Sequence, residues 1–433
     1  SCGMLSGGLK NENNQSEGLM MQKFSIRGVR TGWCGALFVF LLLLVARVES
    51  VELVVHAGDN AHGEAPVSWE LGKLYGDSKS FSLWQVDGGK EKPVAVQLDP
   101  DARRVHWIVS GMKAGSSRVY RLLPSSGKKA SAALGKGVEC ANDGKNLLFS
   151  IGEKKIIRYN HAIVKPPGKP DPAYDRGGYI HPVWTPSGKL LTNDFPANHK
   201  HHHGIWFPWT NTVFEGRKVD FWNSGKKQGR IEVVKLDGFG GGPVFGWFSV
   251  RHRFLDLTAP GGAKPVLEET WKVKVYAIGD HFLFDLDSTQ KCSGESPLKL
   301  NKYRYGGLGF RGSHEWEGPN AFYLTSEGKT RKDGHHTAAR WCEIYGKLKG
   351  AAAGISILCH PKNFRAPQNM RIHPNEPFFN YAPCQNGDFS IVPGKDYVSR
   401  YRFYVHDGEP DAKVSDGLWA DYASVPKIEM RKD

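Results

Sequence analysis

Period-two alternation constrains this chain more than any other feature. The runs ETWKVKVYA (269–277) and VSRYRFYV (398–405) place an apolar residue at every second position. That spacing suits a strand with one buried face and leaves a helix with no continuous apolar stripe. Weaker versions recur in RIEVVKLDG, VFGWFSVRHRFLDLTA, HFLFDLDSTQ and AAGISILCH. The 51 glycines and 25 prolines punctuate these runs with turn chemistry. An all-β protein follows. Residues 51–130 carry five short runs (VELVVHA, SFSLWQV, PVAVQL, RRVHWIV, RVYRLL) and predict a small immunoglobulin-like β-sandwich. Residues 131–144 read as a linker, on the strength of the Ser/Gly/Ala/Lys-rich stretch 125–137. Residues 145–425 predict a large two-sheet antiparallel sandwich. Within it, a hairpin is expected around Gly152, and the one helix signal spans 414–423 with Ser415 as its cap.

The first 50 residues read as an export signal with upstream residues. Lys23, Arg27 and Arg30 precede the apolar run ALFVFLLLLVA at 36–46, which is short for a membrane span, and cleavage is expected near Ser50. A periplasmic or secreted protein with no membrane attachment after cleavage is the expectation. The formal net charge of +14 comes from scattered Lys and Arg rather than a run. It reads as a solvated basic surface, and export argues against nucleic acid as partner. Beyond the signal the five cysteines are widely spaced and odd in number; at least one thiol is expected to be free.

Chemistry concentrates in residues 175–209, DRGGYIHPVWTPSGKLLTNDFPANHKHHHGIWFPW. Five of the chain's 17 histidines lie there: His181, His199, His201, His202 and His203. On an extended chain His199, His201 and His203 would share one side, a way to present imidazoles to a metal. The alternative is a polar acid–base site in which His202 or His203 is the base and Asp194 its carboxylate partner. Trp206 is a candidate platform for a sugar ring or a core residue. A second cluster, YRYGGLGFR at 303–311, is expected to set Tyr303 and Tyr305 on one face and Arg304 on the other, with Arg311 meeting either an acidic ligand or Glu315 or Glu317. Its glycines let backbone approach a ligand or bulge a strand. The third, HPKNFRAPQNMRIHPNEPFFNYAP at 360–383, offers His360, Asn363, His373 and Glu376. Glu376 beside Phe378 and Phe379 has the setting of a general acid. Glu269 and Asp285 lie in strands and face either way. No phosphate loop and no nucleophile elbow occurs. No cofactor is implied, apart from a divalent metal if the histidines bind one.

Together with VDFWN, LTAPGG, LEETW and LTSEGKT, these motifs resemble an exported bacterial family labelled "methane oxygenase PmoA-like", a domain of unknown function, over residues 145–425. The label does not imply a true methane monooxygenase subunit, which needs several membrane helices. The resemblance implies a supersandwich of the galactose-mutarotase-like kind. It points to Arg176, His181, Asp194, His199, His202, His203, Tyr305, Arg311, His360 and Asn363.

The expected function is an exported carbohydrate-active enzyme performing acid–base chemistry (hydrolysis, elimination or epimerisation) on a sugar or glycan. His202, His203, Asp194, His181, Glu376 and His360 would be catalytic, and Arg176, Trp206, Tyr303, Tyr305, Arg311, Asn363 and His373 would bind substrate. Two alternatives stand: a metal-dependent oxidoreductase or hydrolase using His199, His201 and His203, and a non-catalytic glycan-binding protein.

Overall fold

The structure, a computed structural model, describes residues 50–99, 102–125, 135–168 and 171–431. Residues 1–49 of the expected signal stretch and residues 126–134, which include the start of the expected linker, lie outside the described residues. No described helix is long and apolar enough to cross a membrane.

The protein is all-β and antiparallel, as the alternation predicts. One eight-stranded sheet runs in the order Gly229–Gly240, Phe245–Asp256, Lys264–Tyr276, Phe282–Cys292, Tyr397–Asp407, Ala351–Cys359, Trp341–Leu348, Phe322–Thr325. A second runs Met370–Ile372, Phe378–Tyr381, Gly309–Arg311, Ile205–Trp206, Tyr179–Val183, Lys154–Asn160, Asn146–Ile151, Glu139–Asn142. Apolar residues from both meet in one large core. In ETWKVKVYA the positions that face this core are Glu269, Trp271, Val273 and Val275. Glu269 is therefore inside. Its carboxylate accepts from Ser288 Oγ at 2.6 Å and Gln290 Nε2 at 2.8 Å and lies 3.0 Å from His252 Nδ1. Buried polar groups need such partners. The hairpin at Gly152 forms, with that glycine at φ 57°. Glu139–Asn142, placed by composition in the linker, is a strand paired with Asn146–Ile151.

The N-terminal strands build a five-stranded and a three-stranded sheet around their own core of Leu53, Val55, Trp107, Tyr120 and Leu122. The edge strand of the larger sheet is Lys427–Met430, from the far end of the chain. None of the five described cysteines forms a disulfide.

The C-terminal helix starts earlier than its sequence predicts. It spans Ala412–Ala423 and is capped by Asp411, whose side chain accepts from Lys413 N at 2.8 Å. Ser415, the expected cap, is buried in the first turn and meets Ser356 Oγ at 2.7 Å. Pro410 precedes the cap, outside the helix, where its missing donor interrupts no helical hydrogen bond. The helix lies over the outer face of the first sheet, burying Leu418 and Tyr422 with Leu283, Trp341 and Leu358. That cover explains why polar outer-face residues are buried. Arg402 forks onto Asp285 at 2.7 and 2.9 Å. His406 Nε2 lies 2.6 Å from Glu343 Oε1, and Ser356 donates to the other oxygen at 3.0 Å. Asp285 is thus a partner under the helix and faces away from the core.

His406 gives a pH prediction. Burial opposes its charge, but the hydrogen bond and charge of Glu343 outweigh burial and raise its pKa. Its contribution is fully present below the unfolded value of about 6.5. It is lost as pH rises through the raised folded value. Denaturant titrations across that window should show wild-type stability falling relative to His406→Gln as pH rises. Parallel curves for the two proteins would remove the role assigned to His406.

Candidate functional site

Register decides which side chains reach the site. Ile180 opposes Ile205, Ile205 opposes Phe310, and Phe310 opposes Phe379. All four are fully buried in the main core. Their neighbours along each strand therefore point to the other face of the second sheet. There Tyr179, Trp206 and Phe378 join Trp222 in an aromatic floor. Gly309 lets Trp206 lie flat, since a Cβ there would sit 3.1 Å from the indole.

The loop from 184 to 204 folds over this floor. Phe195 N donates to His202 O, and His202 N donates to His199 O at 2.8 Å. The second bond makes residues 199–202 a turn, so the expected alternation of His199, His201 and His203 on one side does not occur. His203 Nδ1 lies 2.7 Å from Asp194 Oδ1, and the hydroxyl of Tyr179 donates to Asp194 Oδ2 at 2.7 Å. Asp194 accepts only when His203 carries its proton on Nδ1, which leaves Nε2 with a free lone pair. The ring is wedged between Tyr179 and Phe195, at centroid distances of 4.4 and 4.8 Å. Burial lowers the His203 pKa; Asp194 partly offsets that. The result is a neutral, oriented imidazole, the state a general base requires.

His203 faces a cavity of about 460 Å³, shared with Arg176, His201, Trp222, Tyr174 and Asp175. Arg176 spends Nε on Gly177 O at 3.0 Å. Burial lowers its pKa to about 10, against the pull of Glu269, Tyr179, Tyr159 and Asp194. It stays a cation at neutral pH. Burial takes His201 and His181 to about 4. His181 sits beside the dyad, with Nδ1 2.9 Å from Thr192 Oγ1.

His202 has a different place. It is 4% exposed, sandwiched between His199 and Phe378 with both rings stacked at 4.7 Å. Burial drives its pKa well down. It anchors the loop to the floor. Trp206, expected as a platform, is fully buried beneath it, with the two rings 5.3 Å apart. Trp222, 2% exposed, contributes to the cavity wall instead. Glu376 accepts from Asn198 Nδ2 at 2.8 Å and from Arg311 Nη1, while Arg311 Nη2 donates to Glu317. Glu376 is thus the acceptor partner of a buried cation, where sequence placed a proton-donating acid. Arg311 is fully buried between two carboxylates of the protein and is not free for an acidic ligand.

His360 and Asn363 do not join the site. His360 packs on Tyr422 of the C-terminal helix at 4.8 Å. Asn363 bonds the backbone of Arg400 in both directions, at 2.7 and 2.8 Å. His373 borders the cluster through His199, at 6.2 Å between rings. Tyr303 and Tyr305 touch at 4.9 Å, and Tyr305 reaches Trp222 at 5.1 Å. The segment is irregular, so Arg304 is not on the opposite face: its guanidinium lies 6.0 and 5.7 Å from the two rings. Gly306 and Gly307 approach Trp209 and the Tyr381 backbone, where a Cβ on Gly307 would sit 2.8 Å from the carbonyl oxygen.

The donor atoms of His199, His202 and Glu376 lie within 4.8 Å of one another. This is not the expected set of His199, His201 and His203. A metal must lie in the plane of each imidazole it binds. The His199 and His202 planes are stacked and only 14° apart, so they do not meet at a shared position. Glu376 already serves Arg311. These residues do not fit a metal centre as arranged.

Glu317, near Arg311 in sequence, is the partner that proximity offers it. Sequence reasoning misses Tyr179 and Asn198. Tyr179 has a readable signal, since it lies two residues before His181 on the same strand face. Asn198 has none.

Comparisons place the chain by family. The profile described as "Family of unknown function (DUF6807)" matches residues 146–420. That match overturns the resemblance to the PmoA-like family, which does not appear. No curated protein matches the chain. Among solved structures, an alpha-mannosidase from Enterococcus faecalis V583 aligns with 10% identity and TM-score 0.44, covering 88% of this chain and 46% of that one. This chain thus spans less than half the length of the mannosidase. A galactose mutarotase related enzyme from Lactobacillus acidophilus aligns with 8% identity and TM-score 0.28, covering 62% and 97%.

Proposed function

The chain belongs to the family of unknown function DUF6807, and from that premise we propose that it is an enzyme performing acid–base chemistry on a sugar in the cavity beside His203. The observation that carries the proposal is the Asp194–His203 pair. Asp194 holds the proton on Nδ1, and Nε2 is the atom left to take a proton from a substrate in the cavity. The Tyr179 hydroxyl fixes the second oxygen of Asp194, so the carboxylate cannot swing away. Trp222 offers an apolar wall for the C–H face of a sugar ring. A lectin has no need of an oriented neutral imidazole, and this favours an enzyme over a glycan-binding protein. The basic and apolar N-terminal stretch supports export, to the periplasm or medium.

Mass spectrometry of oligosaccharide panels incubated with wild type and His203→Ala tests the reading. A product should form with wild type and fall by about 10²-fold or more in the variant, the usual contribution of a general base. Near-equal product from both proteins rules out His203 as the base. Binding without any product supports the glycan-binding alternative.

A further inference from the structure

We infer that the saccharide taken by this site is anionic, bearing carboxylate or sulfate groups that meet arginines the protein leaves unpaired. The inference rests on the sugar-enzyme reading above and adds the substrate class.

The first observation is Arg176. Buried or half-buried arginines are normally paired, because an unpaired guanidinium out of bulk water is costly. Arg311 and Arg402 obey that rule, on Glu376 and Asp285. Arg176 makes no ion pair: among the described residues its terminal nitrogens have no acceptor, Glu269 and Asp194 act on it through their charge alone, and it lines the cavity with His203, Asp171 and Asp175. A planar fork beside a base suits a carboxylate or sulfate oxygen pair.

The second observation is independent. A separate depression of about 350 Å³ is lined by Lys302, Tyr303, Arg304, His336, Asn369 and Gln385, with no carboxylate among them. Arg304 makes no ion pair in the described structure and rests over Tyr303 and Tyr305. Arg371 makes no ion pair among the described residues and donates to His335 Nε2 at 2.9 Å; burial and then the charge of Arg304 lower its pKa. Burial lowers His335 to about 4, so that ring accepts and adds no charge. An anionic ligand at Arg304 would offset the like charge that Arg371 feels from it. The two places are joined by aromatic rings. Arg304 lies 5.7 Å from Tyr305, Tyr305 lies 5.1 Å from Trp222, and Trp222 lines the first cavity. The path offers a chain of acidic sugars one guanidinium at the dyad and a basic basin for its neighbouring units. A nucleic acid would meet the same charges. The concave dyad cavity, with its neutral base beside the arginine, favours a saccharide.

Calorimetric titration of the full chain at low salt tests this. The probes are oligogalacturonate, a sulfated carrageenan oligosaccharide, neutral galactan and mannan oligosaccharides of equal length, and a single-stranded oligonucleotide of equal charge. One or both acidic saccharides should bind about tenfold or more tighter than the neutral ones. Arg304→Gln with Arg371→Gln should cost about tenfold and flatten the salt dependence. Lys302→Gln with Arg304→Gln repeats the test on exposed side chains should the first pair lose its fold. Preference for the galacturonate or the carrageenan probe identifies carboxylate or sulfate. Equal affinity for acidic and neutral probes, no binding to either acidic probe, tighter binding to the oligonucleotide, or affinity untouched by both variant pairs each overturn the inference. His203→Ala should bind the acidic probe within about threefold of wild type. Intact acidic binding without turnover in the wild type would sink the enzyme reading alone.

Discussion

Asp194→Asn should lower turnover about 10³–10⁴-fold on any saccharide the wild type converts, with little change in KM. The size follows from what the carboxylate does. In a His–Asp pair the carboxylate fixes the tautomer and stabilises the imidazolium that forms as the proton arrives, and its amide analogue loses both. Here Asp194 accepts from the His203 ring and from the Tyr179 hydroxyl. An asparagine can turn its NH₂ toward His203 Nδ1, which shifts the ring proton to Nε2 and blocks the base. The pH dependence should move too. Burial already lowers the His203 pKa, and Asp194 is the main group raising it. Without that charge the pKa falls further, so the residual acid limb of the kcat/KM profile should shift to lower pH. Steady-state rates across pH decide the matter. A variant that keeps more than about a tenth of wild-type turnover, or an acid limb that does not move, excludes the assigned dyad.

The strands were readable because their alternation records burial directly. Glu269 shows both the power and the limit of that reading. Its position in the pattern puts it on the core face, yet only the fold supplies the His252, Ser288 and Gln290 partners that let it stay there. The site was legible as a region and less so as chemistry. The histidine-rich window does hold the Asp194–His203 pair, but alternation misled on His199, His201 and His203, because a turn bond from His202 N to His199 O overrides the extended geometry. Ser415 has the sequence signature of a cap, and no local rule tells a capping serine from one buried against Ser356. His360 and Asn363 lie in a histidine–proline loop like His373, and nothing local separates them. The Tyr422 ring and the Arg400 backbone that hold them come from distant parts of the chain.

Arg311→Ala is expected to be the most destabilising single change near the site, at about 3–5 kcal/mol, because removing one partner of a buried pair strands the other charge. Arg311 is fully buried, and its two terminal nitrogens hold Glu376 and Glu317. Glu376 is 7% exposed, so its stranded carboxylate has little water to turn to. Glu317 is more open and should contribute less. The same cation supports the site loop from below: Glu376 takes Asn198 at 2.8 Å and stands 3.1 Å from His199 Nδ1, in a geometry too bent to count as a hydrogen bond. The loop carrying Asp194 and His203 should therefore loosen before the sandwich does, and turnover should fall at temperatures where the core remains folded. Adding Glu376→Gln to Arg311→Met removes the stranded charge. That double variant should recover part of the loss, giving a coupling energy of about 1–3 kcal/mol in a double-mutant cycle. Denaturant titrations of wild type, both single variants and the double measure it. Strictly additive losses would mean that the Arg311–Glu376 pair does not act as one unit, and the loop would then need another anchor.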